Sequence, residues 1–345
     1  MQPTGRKELS PIVFIRAICT LGIVCYHFCW YSKSALSQLV SFANGYVGEM
    51  LVTVFFVMSG AVLYYNHPQV EKPIAFYKKR ARSIYPGFYL CFGFFYLVNV
   101  LTTKCLFYLP DVAPWKLLFS LLGVDGYLLD TGLSVFAPNW YLVGEWFLGA
   151  LLLLYLVYPL LCRGLQTKTT TLCTAGAAVL LFLLQAFADC FLIKGFRGFF
   201  SCLFAFLAGM LLIRHQKVLL RPTCIAAAGL VFLILLLVKL PLPSALVTNL
   251  CGIACFLLLY GLGSVVMKGK VSERLSRYVA GISFPVFLLQ HKLIGYVQTL
   301  WNPDGIGKAL AILGLTILLI FAFAQILQAA TKAMLAAWPF RRKNA

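Results

Sequence analysis

Acidic residues are what this sequence has least of. Ten Asp and Glu stand against 29 Lys and Arg, and charged residues fill only 11% of 345 positions. That is too little charge to cover a water-soluble surface of this size. The rest of the composition agrees: 61% of residues are hydrophobic and the mean hydropathy is +0.89. No polar stretch is long enough to be a separate soluble module, and no low-complexity tract or fixed-period repeat appears. There is no CxxC among the twelve cysteines, and no Cys–His spacing of the kind that holds zinc. Most of the cysteines sit singly in apolar runs, where a thiol behaves as a small hydrophobe. No metal is therefore expected.

Apolar runs of about 17–25 residues recur along the whole chain, the pattern of a helical membrane protein. An all-α polytopic fold of about ten transmembrane helices is expected, as one membrane-embedded domain over 1–345. The spans fall near 11–31, 44–66, 85–103, 139–162, 170–189, 196–213, 222–240, 244–266, 280–299 and 307–330. With the N-terminus cytoplasmic, the inside segments hold 20 basic residues and the outside loops 7, while Arg16 and Lys292 fall within spans. That bias places both termini inside. It also accounts for the net charge of +19. The cations lie in short clusters between spans, where they set topology and meet lipid headgroups, so nucleic acid is excluded as a partner. Arg6 and Lys7 before the first run resemble a signal peptide, but the run is too long and carries Arg16 and His27, so it reads as a retained span. The segment 104–138 is the one long outside connection. Its apolar middle, Trp115–Val124, is too short to span and reads as an interfacial or re-entrant piece.

The first span organises the chemistry. Arg16 and His27 are eleven residues apart, three helical turns with about 20° left over. They share one face and lie about 16 Å apart along the axis. Charge inside a bilayer is costly and normally faces a cavity or a partner. A histidine there either moves protons near neutrality or bonds a neighbouring carbonyl. Glu145, in NWYLVGEWF, lies at nearly the depth of His27 and either polarises it or pairs with a cation. Glu49 lies near the outer end of the second span, facing the same cleft or the headgroups. Ser59 and Gly60, in FFVMSG, allow close helix approach or passage of a thin ligand. His291 and Lys292 fall in the ninth span, where Pro285 is expected to kink the helix. The loop Phe76–Pro86, FYKKRARSIYP, is the densest cationic patch. It is either plain topogenic charge or a phosphate site for a nucleotide-like donor, since arginine suits paired recognition of phosphate.

Together these pieces resemble the membrane acyltransferase-3 family of bacterial multi-pass enzymes. The likeness runs through about 11–91, 138–160 and 281–291. The family's first-span arginine (or lysine) about ten residues before a histidine looks like Arg16 and His27. Its phenylalanine pair ending in Ser-Gly looks like Val54–Gly60, and its basic element ending in Ile-Tyr-Pro looks like Lys79–Pro86. Its tryptophan-to-glutamate element, running on to Tyr-Pro, looks like Trp140–Glu145 with Tyr158–Pro159. Its late Ser-Tyr…Leu-His element looks like Ser283–His291. Two elements depart. Leu51, Val52 and Thr53 stand where the family often has Gly-Val-Asp, so the acid is missing and Glu49, one turn earlier, is the carboxylate that can replace it. Ser83 stands where the last arginine of the basic element usually falls, with Arg82 adjacent.

The resemblance implies transfer of an acyl group, usually acetyl, from cytoplasmic acyl-coenzyme A to a hydroxyl of a cell-surface or lipid-linked glycan across a bacterial cell membrane. It implies a stand-alone member without the extra hydrolase-like domain that some relatives carry. In that scheme Lys79, Arg80 and Arg82 hold the coenzyme's phosphates. The pantetheine arm passes Ser59 and Arg16, and His27 serves as general base or acyl carrier with Glu145 orienting it. Trp140, Glu49 and His291 face the acceptor. The rival reading is a transporter, because intramembrane Arg, His and Glu also build proton relays. Against it, the polar residues gather in spans one, two, four and nine, with no paired broken helices. The oligomeric state is not legible.

Overall fold

The structure is a computed structural model that describes residues 9–32, 35–106, 113–130, 142–144, 146–188, 191, 193–301 and 305–337. The described residues are almost entirely helical. In chain order the helices are α1 (Ser10–Tyr31), α2 (Val47–Asn66), α3 (Pro73–Thr103), α4 (Leu117–Leu122), α5 (Asp125–Asp130), α6 (Trp146–Gly164) and α7 (Lys168–Phe187). They continue with α8 (Phe199–Arg214), α9 (Gln216–Leu219), α10 (Pro222–Leu237), α11 (Ser244–Val266), α12 (Lys270–Leu300) and α13 (Ile306–Ala337). One two-stranded antiparallel hairpin, β1 (Ser41–Phe42) and β2 (Gly45–Tyr46), joins α1 to α2. Among the described residues, seven helices are long and apolar enough to cross a membrane: α1, α2, α3, α6, α7, α11 and α13. Two more, α8 and α10, are apolar but shorter. With α12, these helices fall on the ten expected spans, and the all-α polytopic architecture stands.

Three boundaries differ from expectation for identifiable reasons. The segment 76–86 is helix, not loop. Pro73 sits at the start of α3, where its missing N–H costs nothing, and the Lys, Arg and Ala that follow favour helix. Pro86 lies inside α3 without ending it. The expected fourth span is not one helix from 139 to 162: residues 142–144 are non-helical, with Gly144 at φ +84°, a left-handed conformation that a helix cannot run through, and α6 follows. Finally, α12 begins about three turns before its apolar part and continues through Pro285 as one helix.

The chain forms two compact units. The first comprises 1–71 and 153–281, the second 72–152 and 282–345.

In the first unit α2 is the central helix, and small residues set its neighbours. A Cβ on Gly60 would lie 1.9 Å from the Phe206 carbonyl oxygen of α8, and one on Gly209 of α8 would lie 1.9 Å from the Val57 carbonyl oxygen of α2. Each backbone fills the space where the other's side chain would be, so α2 and α8 are in backbone contact. The end of α2 is held from α6: the Tyr158 hydroxyl, fully buried, donates to the His67 carbonyl at 2.6 Å. The Tyr-Pro element is thereby a cap for the helix that carries FFVMSG. At the hairpin, the Asn44 amide donates to Leu235 O at 2.6 Å and Val238 O at 2.7 Å and accepts from the Leu240 amide at 2.8 Å, satisfying the frayed end of α10. Arg214 closes the far end of α8, donating to Leu165 O and to Thr171 Oγ1.

In the second unit α3 packs on α12 and α13. Cys91 Sγ donates to Leu288 O at 3.9 Å, and a Cβ on Gly87 would touch Thr331 Oγ1 at 3.3 Å. The apolar middle of the long connection holds the short helix α4, which turns at Gly123 with φ +73° into a second short helix, α5. They seat on α6, where Gly149 makes room for Tyr127.

Candidate functional site

α1 is unbroken from Ser10 to Tyr31, so the eleven-residue step from Arg16 to His27 keeps both side chains on one face. Both are half-buried, while Ile15, Cys19, Val24 and Phe28 are buried on other faces. The Thr20 hydroxyl donates back to Arg16 O at 2.7 Å. His27 Nδ1 is shielded from solvent, and the ring meets Tyr26 edge-on at 5.3 Å. Tyr26 in turn fills the space over Gly48 of α2, where a Cβ would lie 2.3 Å from its ring. One turn earlier, Gly22 receives Leu51. The position of His27 on the molecule is therefore set by a close α1–α2 contact.

Glu49 lies in the first turn of α2 and faces α11. Thr248 Oγ1 donates to its Oε2 at 3.5 Å, and the charge of Arg197 acts on it. One turn on, Thr53 packs against Gly252, one turn on from Thr248. Positions 49 and 53 of α2 thus address the same side of α11. Thr53 itself is buried, with its hydroxyl donating to Glu49 O at 3.0 Å. Ser59 is half-buried, and the glycine beside it is taken up by α8. The Gly of the Ser-Gly element is therefore a packing residue, which settles the alternative left open for that position.

The helical form of 76–86 separates the cations of the second unit by face. Arg80 shares a stripe with Phe76, Ile84 and Gly87, all buried; its guanidinium sits 5.7 Å from the Phe76 ring, with Nε and Nη2 shielded from solvent. Arg82 is exposed about 160° round the helix from Arg80, and Lys79 and Ser83 are exposed beside the stripe. His291 and Lys292 are half-buried in α12, after the buried Gln290. Glu145 and Trp140 lie outside the described residues. No group of three or more His, Cys, Asp or Glu among the described residues is placed to hold a metal.

Sequence reasoning missed two features. Thr248 and Arg197, the partners of Glu49, were passed over, although the polar pair Thr248-Asn249 inside an apolar span is a visible signal. The second is Asp125, which lies in the long connection 104–138. It is 3% exposed at the start of α5. Burial pushes its carboxyl up to about 6, against the downward pull of the Ser120 hydroxyl and of the Gly126 amide, which donates to Oδ1 at 2.9 Å. A carboxyl raised in the folded state binds its proton more tightly folded than unfolded. Its contribution is therefore full at the acid end and is lost as pH rises from the model-compound value of 3.8 through about 6. The loss amounts to up to about 3 kcal/mol. Thermal melts from pH 4 to 7 are expected to show this decline, and Asp125→Asn to remove it. An unchanged slope in the variant would assign the decline to other groups.

The fold defines a multi-pass membrane protein whose first span carries Arg16 and His27 on one face. Comparison gives it a family: the model described as an acyltransferase domain, that of the acyltransferase-3 family, matches residues 12–325, and the chain belongs to that family. It is a membrane acyltransferase. No curated protein and no solved structure matches the chain significantly.

Proposed function

We propose that this enzyme is an O-acyltransferase of a bacterial cell membrane, taking an acetyl group from acetyl-coenzyme A (or another acyl from its acyl-coenzyme A) to a hydroxyl of a cell-surface or lipid-linked glycan. The observation that carries the reading is the pairing of Arg16 and His27 on one face of an unbroken apolar helix, within a chain that belongs to the acyltransferase-3 family. In the reaction the acyl carbon leaves the thioester sulfur and joins the acceptor oxygen. The hydroxyl proton passes to His27 and on to the leaving thiolate. Glu145 orients His27 and stabilises its charged form. Glu49, Trp140 and His291 serve the acceptor. Ser59 and Arg16 lie along the donor's arm.

Donor binding falls to Arg80. Its guanidinium is held on a buried stripe by Phe76, so little side-chain freedom is lost when it meets phosphate. Lys79 and Arg82, both exposed, add general attraction for an anionic donor. A thermal-shift titration with acetyl-coenzyme A tests this. A ligand that binds only the folded state stabilises by about 2.7 kcal/mol at a hundredfold excess over Kd. Wild type and Arg82→Ala are expected to shift, and Arg80→Ala to lose most of the shift. If wild type shifts with neither acetyl- nor succinyl-coenzyme A, the donor is wrong.

A further inference from the structure

A row of rings leads from His27 to the surface of the first unit. Tyr26 meets the imidazole at 5.3 Å, Trp30 one turn on meets Tyr26 at 5.8 Å, and Tyr46 of β2 meets Trp30 edge-on at 5.2 Å. Tyr26 is taken up by packing over Gly48, but Trp30 is 48% exposed and Tyr46 41%. Two large rings are therefore open at the end of α1 that carries His27. Trp30 is three residues beyond His27, a rise of about 4.5 Å along the axis.

Tyr46 is also tied to Glu49. Its backbone hydrogen-bonds that carboxylate, which Thr248 Oγ1 meets from α11. Open aromatic faces thus adjoin a carboxylate, and both lead back to the histidine. Aromatic residues at the end of a span are ordinarily interface anchors. Anchoring requires no ring-to-ring contact with a functional histidine. Tyr31, 50% exposed and about 100° round α1 from Trp30, is placed for that simpler role.

We infer that Trp30 and Tyr46 form a stacking platform for a pyranose ring of the acceptor, and so help to choose the sugar that reaches His27. This rests on the acceptor being a glycan. A pyranose has an apolar C–H face that suits an aromatic ring and a rim of hydroxyls that suits a carboxylate such as Glu49. A quaternary ammonium would also suit the rings. The charge of Arg197 already acts on Glu49, however, so the site offers such a cation no unbalanced anion.

The test uses the full chain in a sugar-free zwitterionic detergent. The acceptor is a glycan extract of the cells that make the protein, lipid-linked forms included, freed of esters by mild alkali. Thiol release from acetyl-coenzyme A is followed against extract concentration. Trp30→Ala and Tyr46→Ala are each expected to raise the half-saturating extract about three- to tenfold, the effect of losing one stacked ring. That rise should exceed any fall in maximal rate, and half-saturation by acetyl-coenzyme A should stay as in wild type. Trp30→Phe keeps a flat ring and should keep most of the affinity. Tyr46→Ala decides the matter should Trp30→Ala fold poorly. Tyr31→Ala is the control and should match wild type. Unchanged half-saturation in both alanine variants overturns the platform alone. So does an equal rise in Tyr31→Ala, which would make the effect one of interface anchoring. A wild type without extract-dependent release overturns the glycan acceptor and the platform with it.

Discussion

His27→Ala is expected to lower acyl transfer by about 10²–10⁴-fold, the range that a positioned general base supplies. The melting temperature and acetyl-coenzyme A binding should stay close to wild type. The separation follows from the geometry. His27 is half-buried on the polar face of α1, whereas the contacts that hold α1 to α2 are made by Tyr26 on Gly48 and by Leu51 on Gly22. Removing the imidazole leaves those contacts intact. The measurement is release of coenzyme A thiol from acetyl-coenzyme A in membranes that contain the cell's own acceptors, beside a thermal-shift titration of the purified variant. Full thiol release by His27→Ala would remove this residue from the mechanism. Loss of release together with loss of donor binding would move it from proton transfer to donor binding.

Gly60→Ala is expected to cost at least about 3 kcal/mol, at the upper end of what overpacking usually does. Most core substitutions meet flexible side chains that can turn aside. Here the added methyl would lie 1.9 Å from the Phe206 carbonyl oxygen and 2.8 Å from its carbon, so a helix backbone has to move. Gly209→Ala meets the Val57 carbonyl at the same 1.9 Å, and should cost a similar amount. The two costs should not add, because one displacement of α8 from α2 relieves both. Gly93→Ala is the control. It is helical, nothing lies within 4 Å of its would-be Cβ, and it is exposed, so the change should be neutral or slightly stabilising. A melting temperature for Gly60→Ala equal to that of Gly93→Ala would mean that α2 and α8 do not pack as described.

Several of these arguments could be begun from residue order. The eleven-residue step of Arg16 and His27 is a property of helical periodicity, and α1 proved unbroken across it. The apolar run lengths located the ten helices on the expected spans to within a few turns. What they could not supply was the helical state of 76–86, because charge density reads as loop whether or not the backbone is helical. Once it is helical, Arg80 and Arg82 part company, one on the buried stripe with Phe76 and the other exposed. The Ser-Gly element shows the same limit. Its glycine was compatible with packing or with ligand passage, and only the position of Phe206, 146 residues away in the chain, decided for packing.

The sequence by itself determined that this is a helical, multi-pass membrane protein and that its first span carries the polar pair, because hydropathy and helical spacing are local properties of the chain. It also carried the order of motifs by which the family is identified. Only the tertiary structure decided which helix lies against which, that Thr248 and Arg197 attend Glu49, and that Tyr158 caps α2 through His67. Those relations depend on contacts between residues far apart in the chain, and hydropathy is blind to them, since lipid-facing and helix-facing positions in a membrane are equally apolar.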